Sequence, residues 1–337
     1  MRRAWLDNTG ARLTVSADFA LLKEECPDSH GARECHASRM KILVLGASGL
    51  LGHTVFRILG ETSQWSVSGA VRDATTRELF PRALSERIVL CGDLQDQSEL
   101  ARTIAGVEPD VVINCLSVPK GELREDNLRG VISGLSVLPH RIALACAESG
   151  TRLVHFSSDG VFSGAKGDYS ESDPPDSTDV YGIAKFLGEV RDPHAISIRT
   201  SMIGHELRSA HGLLEWFLSQ QTSCSCFTRA VFSGLPTTEL ARIIRDVVLT
   251  KPELSGVYHV AARPISKFDL LQLVAEVYGK TIRMDPDDRV VIDRSLNADR
   301  FRTATGYEPP TWPELIETMH ADHLRAKDHP PVVQERR

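Results

Sequence analysis

The sequence predicts an α/β fold: a doubly wound parallel sheet followed by a smaller, mixed α/β C-terminal lobe. Three observations carry this. Short runs rich in Val, Ile and Leu recur from Met40 onward, with helical patterns between them. Such runs suit strands buried on both faces and joined by crossover helices. The first run ends in Gly46-Ala47-Ser48-Gly49-Leu50-Leu51-Gly52, a glycine at every third position. After Arg199 the rhythm shifts to shorter, less regular segments.

The elements are read in order. Lys41 to Leu45 is a strand, Leu50 to Leu59 a helix, Ser66 to Val71 and Arg87 to Cys91 the next strands. Ser98 to Ala105 is helical, and Asp110 to Cys115 is a strand opening after Pro109. Gly134 to Ser149 is a helix stopped by Gly150. Leu153 to Ser157 is a strand, Val180 to Val190 a helix and Ala195 to Arg199 a strand. Beyond it, Leu213 to Ser219 is helical and runs into a Ser/Cys-rich turn. Thr238 to Leu249, Ser266 to Tyr278 and Trp312 to Ala321 are helices, and Gly256 to Val260 a strand. The chain turns polar and frays after Asp322.

Composition bounds the function. The chain has 337 residues, enough for two domains or one with an appended lobe. Lys and Arg number 39 against 45 Asp and Glu, and the net charge of −6 gives no electrostatic reason to bind nucleic acid or an anionic membrane. The most apolar segment, Lys41 to Leu59, is interrupted by glycines, a histidine and an arginine, so no bilayer-spanning segment is expected. The seven cysteines are irregularly spaced, as in a reduced, cytoplasmic protein without structural disulfides. Cys224-Ser225-Cys226 lacks the second pair that zinc requires, and His205 and His211 read as loop and helix-start residues, so no metal is expected. Residues 1–39 carry mixed charge and no clear periodicity, and read as a disordered extension or a mis-assigned start with Met40 as the true one.

Chemistry enters at the glycine loop. Gly46 permits the tight turn, Gly49 lets backbone approach a pyrophosphate, and Gly52 lets helix and sheet pack closely. The helix end adds free N–H groups and a positive dipole end. After the second strand, Arg72 can pair with the 2′-phosphate of NADP, while Asp73 would serve NAD if the register were shifted by one. Asp93, in Gly92-Asp93-Leu94, can accept a hydrogen bond from an adenine amino group or serve the turn alone. Tyr181 and Lys185 share a helix face at i, i+4, where an ammonium would lower the phenol pKa. Ser158, at the end of the fifth strand, can hydrogen-bond a substrate carbonyl.

The loop Leu45 to Gly52, Ser157-Ser158-Asp159-Gly160-Val161-Phe162 and Tyr181-Gly182-Ile183-Ala184-Lys185-Phe186-Leu187-Gly188-Glu189 together resemble the extended short-chain dehydrogenase/reductases, and among them the dTDP-4-dehydrorhamnose reductase branch. Arg199-Thr200-Ser201 and Phe232 to Ala241 fit the same branch. The resemblance runs from Met40 to about Met319. It implies an NAD(P)-binding Rossmann domain at 40–200, a substrate-lobe insertion at 201–236, a return at 237–262, a C-terminal substrate lobe at 263–325 and a tail at 326–337. It implies NADP as cofactor, with NAD admitted, and a nucleotide-sugar substrate, in cell-surface polysaccharide or dTDP-rhamnose-type biosynthesis. Tyr181 would be the acid–base residue, Lys185 its partner and ribose ligand, and Ser158 the carbonyl-binding hydroxyl. Gly46, Ser48, Gly49, Leu50, Leu51, Gly52, Arg72, Asp93 and Leu94 would hold the cofactor, with Cys115, Leu116 and Ser117 over it. Arg294, Arg300 and Arg302 are candidates for the substrate diphosphate. A homodimer is admitted.

The departures are specific. Gly160 stands where the reductases usually have Tyr, Ser158 where Thr is more frequent, and Leu116-Ser117 where small alanines are usual. Pro119 to Arg129 lacks the branch's acidic stretch. No glutamate follows Asp159, which argues against a 4,6-dehydratase. An epimerase and a noncatalytic NADP-binding regulatory subunit remain as alternatives.

Overall fold

Strand β1 (Met40–Leu45) sends Ile42 and Val44 into one apolar core and Leu43 and Leu45 into another. It is therefore covered by helices on both faces, which is why its sequence is continuously apolar rather than alternating. The computed structural model describes residues 39–118, 127–208 and 210–328. Residues 1–38 of the proposed extension and 329–337 of the proposed tail lie outside these residues, as does most of the Pro119 to Arg129 departure.

Six further strands join β1: β2 (Trp65–Val71), β3 (Ile88–Leu90), β4 (Val111–Asn114), β5 (Arg152–Phe156), β6 (Ala195–Arg199) and β7 (Gly256–His259). All pair in parallel, in the order β7-β6-β5-β4-β1-β2-β3. The chain winds outward from β1 to β3, then crosses back to β4 on the other side of β1. The loops leaving β1 and β4 thus diverge and open a crevice at the carboxyl ends of the strands, where open α/β sheets bind ligands.

On one face lie α1 (Gly52–Gly60), α5 (Thr237–Ile243), α6 (Lys267–Val277) and α7 (Trp312–Asp328), sealed by Val55, Phe56, Leu240, Leu270, Leu315 and Met319. On the other lie α2 (Gln97–Val107) and α3 (Leu138–Glu148), sealed by Leu100, Ile104, Ile142 and Cys146. The helix α4 (Val180–Leu187) packs nearby through Ala184 on Val131 and Leu135. It ends earlier than expected, at Leu187, and the next residue, Gly188, passes so close to the Leu135 carbonyl that a Cβ would lie 2.0 Å from its oxygen.

Four readings need correction. The Ser/Cys-rich turn is a strand, Ser223–Phe227, paired in parallel with Arg283–Asp287. Its serine–cysteine alternation has a period of two, with both thiols buried. The helix leading into β5 starts before Gly134, with Leu128–Ile132 and α3 flanking a π-helical turn at Ser133–Val137. The expectation that no helix could span a bilayer also fails by length: Leu128–Glu148 is long and apolar enough, but half of it is packed inside the fold. Finally, α7 does not fray at Asp322. Arg57 of α1 pairs with the buried Asp322 carboxylate, and the helix continues to Asp328.

Candidate active site

The glycine loop is built by backbone geometry. Gly46 has φ of 75°, a conformation that favours glycine, and its carbonyl accepts from Gly49 N at 3.0 Å. A Cβ on Gly52 would lie 2.0 Å from that same carbonyl oxygen. Gly49 differs, because the nearest atom to a Cβ there is 3.4 Å away, an ordinary contact. The protein's own packing does not require glycine at position 49. Helix α1 carries neither a side-chain cap nor an acidic residue in its first turn, so its positive end is not neutralised from within. A bare Gly49 and a helix end of this kind fit a dinucleotide pyrophosphate. Ser48 is exposed, Leu50 half-buried and Leu51 buried.

The opposite wall follows β4. A Cβ on Gly46 would come within 3.1 Å of Cys115 and Leu116 backbone, so Cys115 and Leu116 lie against the loop. Asn114 Oδ1 accepts from Leu116 N at 3.1 Å and fixes this turn. Burial pushes the Cys115 thiol well above its usual range, leaving it protonated and inert.

At the strand ends the assignments divide. Arg72 is exposed beside the crevice. The Asp73 carboxylate is engaged by Thr75 N at 2.9 Å and by Arg208 Nη1 at 2.7 Å. Asp93 Oδ1 accepts from Gln95 N at 3.1 Å, so it serves its own turn, with Leu94 buried behind it.

The catalytic candidates converge at the end of β5. Ser158 caps a 3-10 turn, its hydroxyl oxygen accepting from Gly160 N at 3.0 Å. That hydroxyl and the Tyr181 ring both lie beside Gly160, and Ser158 pulls the phenol pKa down. Asp179 caps α4 through Gly182 N at 2.8 Å, so the helix begins just before Tyr181. One turn on, Lys185 is buried, and its Nζ donates to the Phe156 carbonyl at 2.6 Å. Burial lowers the Lys185 pKa to about 8, and Glu189 pulls it partly back. The expected lowering of the phenol is not found. Burial holds Tyr181 above its ordinary value, and the groups that pull it down are Ser158 and Arg294. At neutral pH the phenol is therefore protonated.

Sequence reasoning missed three features. Asp159, passed over once a dehydratase was set aside, is raised to about 6 by burial and accepts from Ser158 Oγ at 3.2 Å. Beneath the site, Arg199 and Glu189 form a buried ion pair, with Nε to Oε1 at 2.5 Å and Nη2 to Oε2 at 2.9 Å. Ser157 donates to the same carboxylate at 2.9 Å, tying β5, β6 and the end of α4 together. In the adjacent strands Asn114 pairs with His155 Nδ1 at 3.0 Å, while His155 Nε2 is buried without a partner. Arg199 and Glu189 both stand in the motifs that carry the family resemblance, but only their charge inside apolar runs signals a pair.

The three arginines separate. Arg294 lies 3.6 Å from Asp179 and acts electrostatically on both Asp159 and Tyr181, and its Nε is buried without a partner. Arg300 instead stacks 4.6 Å over the Tyr258 ring, and Arg302 pairs with Asp299 and Glu308. Among the described residues, no group of three or more His, Cys, Asp or Glu is placed to hold a metal ion.

Sheet order, glycine loop and crevice define a Rossmann-type dinucleotide-binding protein. Residues 40–322 match the model of the RmlD substrate binding domain, and the chain belongs to that family, a branch of the extended short-chain dehydrogenase/reductases. It is 31% identical over 240 residues to dTDP-4-dehydrorhamnose reductase of Salmonella typhimurium, covering 66% of this chain and 73% of that one. It is 24% identical over 260 residues to methionine adenosyltransferase 2 subunit beta of Danio rerio, covering 73% and 76%. Its fold is shared with dTDP-4-dehydrorhamnose reductase of Bacillus anthracis, solved in complex with NADP, at a TM-score of 0.70 and 17% identity over 85% of this chain and 99% of that one.

Proposed function

We propose that this chain is an NAD(P)H-dependent reductase of the dTDP-4-dehydrorhamnose reductase type, acting on a 4-keto-6-deoxy nucleotide sugar. The observation that carries the reading is the hydroxyl pair Ser158–Tyr181 beside the buried Lys185, at the open end of β5. The pair shares the crevice with the glycine loop. The domain division follows: 40–200 and 237–262 hold the cofactor, and 201–236 and 263–325 hold the sugar nucleotide. It acts in the cytoplasm, in line with the five free cysteines among the described residues.

In this reading the loop Gly46 to Gly52 cradles the pyrophosphate, and Arg72 favours NADP over NAD. Cys115-Leu116-Ser117 forms the wall over the cofactor. The reduced nicotinamide, when bound, supplies hydride to the ketone carbon. Tyr181 is held protonated, so it can donate its phenolic proton as charge develops on the ketone oxygen. Ser158 donates a hydrogen bond to the same oxygen. Lys185, fixed on the Phe156 carbonyl, reaches the ribose with its remaining N–H donors. Arg294, with its buried and unpartnered Nε, is the one arginine of the three placed for the substrate.

Gly160 lies against the catalytic pair. A Cβ there would come within 3.1 Å of the Tyr181 ring and 3.2 Å of Ser158 Oγ. A side chain here would press on both hydroxyl-bearing side chains, so glycine at this position leaves the catalytic pair uncrowded.

The test is NADPH oxidation against a panel of 4-keto-6-deoxy nucleotide sugars. Turnover with one of them, cut at least ~100-fold by Tyr181→Phe with NADPH binding kept, supports the reading. Tight cofactor binding without turnover across the panel would favour a noncatalytic NADP-binding subunit; the Danio rerio relative is named as a subunit of methionine adenosyltransferase 2.

A further inference from the structure

Asp73 and Arg208 meet at the end of β2 although 135 positions separate them. This strand end is where a Rossmann fold reads the 2′-substituent of the adenosine ribose. The Asp73 carboxylate accepts from Thr75 N at 2.9 Å, Thr75 Oγ1 at 2.6 Å and Arg208 Nη1 at 2.7 Å. These donors hold its pKa down to about 2. With both oxygens engaged, it does not offer the free, bidentate face that a ribose diol needs. Arg208 also donates to Thr75 Oγ1 at 2.8 Å, and the rest of its five N–H groups remain for a ligand.

Charge decides what such an end can hold. Arg72 and Asp73 alone sum to zero, which gives a phosphate monoester no net attraction. Arg208 makes the sum positive. Its segment is anchored on both sides of it. Glu206 accepts from His211 N at 2.7 Å and Gly212 N at 3.0 Å. His205 is held between Glu215 at 2.6 Å and the Tyr278 hydroxyl at 2.9 Å. The guanidinium is therefore delivered by a fixed support. Its pair with Asp73 is half exposed and contributes little to folding.

We infer that Arg208 is a cofactor-discriminating residue: with Arg72 it forms a two-guanidinium clasp for the 2′-phosphate of an adenine dinucleotide. This rests on the cofactor reading given above. With a 2′-phosphate present, Arg208 turns from Asp73 to the more highly charged phosphate. With a plain ribose diol it stays on Asp73, so the clasp rewards only the phosphorylated cofactor.

The test uses cofactor fragments, so it does not depend on the sugar. The full chain and its Arg208→Gln variant are titrated calorimetrically with 2′,5′-ADP and 5′-AMP. The expected result is a loss of about tenfold or more for 2′,5′-ADP, at the scale of one charged hydrogen bond, with 5′-AMP unchanged. Asp73→Asn should tighten 2′,5′-ADP binding, because it removes the competing carboxylate. Equal losses for both fragments, or no loss for either, would overturn the clasp while leaving the dinucleotide site standing. Failure of the unaltered chain to bind either fragment or NADPH would overturn the cofactor reading itself.

Discussion

The two halves of the crevice are held by different means. The phosphate loop is a backbone object, set by Gly46 at positive φ, by the close approach of Gly52 and by a helix end free of caps. The catalytic half is a side-chain object. Ser158, Tyr181 and Lys185 are placed by capping residues and by the Arg199–Glu189 pair buried beneath them. Backbone geometry tolerates no side chain at two positions but is indifferent to charge. The catalytic half depends on desolvated charges balancing one another.

The largest expected effect is at Gly52→Ala. Its Cβ would sit 2.0 Å from a carbonyl oxygen, so helix and loop must separate, and thermal denaturation should show an unfolded or grossly destabilised chain. Gly49→Ala is the contrast: cofactor affinity falls while the Tm stays near that of the unaltered chain. If both variants lost stability equally, the distinction between packing glycine and ligand-facing glycine would collapse.

Next comes the buried pair. Glu189→Leu strands the Arg199 guanidinium and should cost about 3–5 kcal/mol of stability by denaturant unfolding. A change under about 1 kcal/mol would mean that the catalytic half does not rest on this pair. Tyr181→Phe should leave unfolding almost unchanged and act on turnover alone, separating the support from the chemistry it carries.

The smallest effect is a pH dependence. Asp159 is raised from 3.8 to about 6, so the folded state binds more protons than the unfolded state between these values. Stability from this group is full below about pH 4 and is lost as pH rises through 6. Asp159→Asn, which cannot ionise, should therefore raise the Tm at pH 7, and the gain should vanish near pH 4. A gain equal at both pH values would show that ionisation of Asp159 is not the cause.

This contrast also governs what was legible in the sequence. Glycine spacing and apolar runs are local, so β1 to β6, the loop and the crevice could be read directly. Tyr181 and Lys185 were legible because four residues place them on one helix face. The direction of the Tyr181 shift was not, because burial raises the phenol, the cation that acts on it is Arg294 rather than Lys185, and both are set by distant chain. The Arg199–Glu189 pair, Asp159 and Arg208 share that reason: each acquires its partner or its environment only by folding. The strand Ser223–Phe227 was missed for a different one. Neither serine nor cysteine is among the β-branched and aromatic residues that mark a strand, and the pattern closes only against Arg283–Asp287.

The ion pair between Arg57 and Asp322 has a consequence for synthesis. Helix α1 has nine residues, too few to persist alone in water. Its support includes α5 and, through Asp322, α7, which leave the ribosome long after it. The anion-binding end of α1 is therefore encoded early but completed late. Cofactor capture becomes a signature of a chain whose last helix has docked, and a nascent chain stalled before Trp312 should be a poor trap for the dinucleotide.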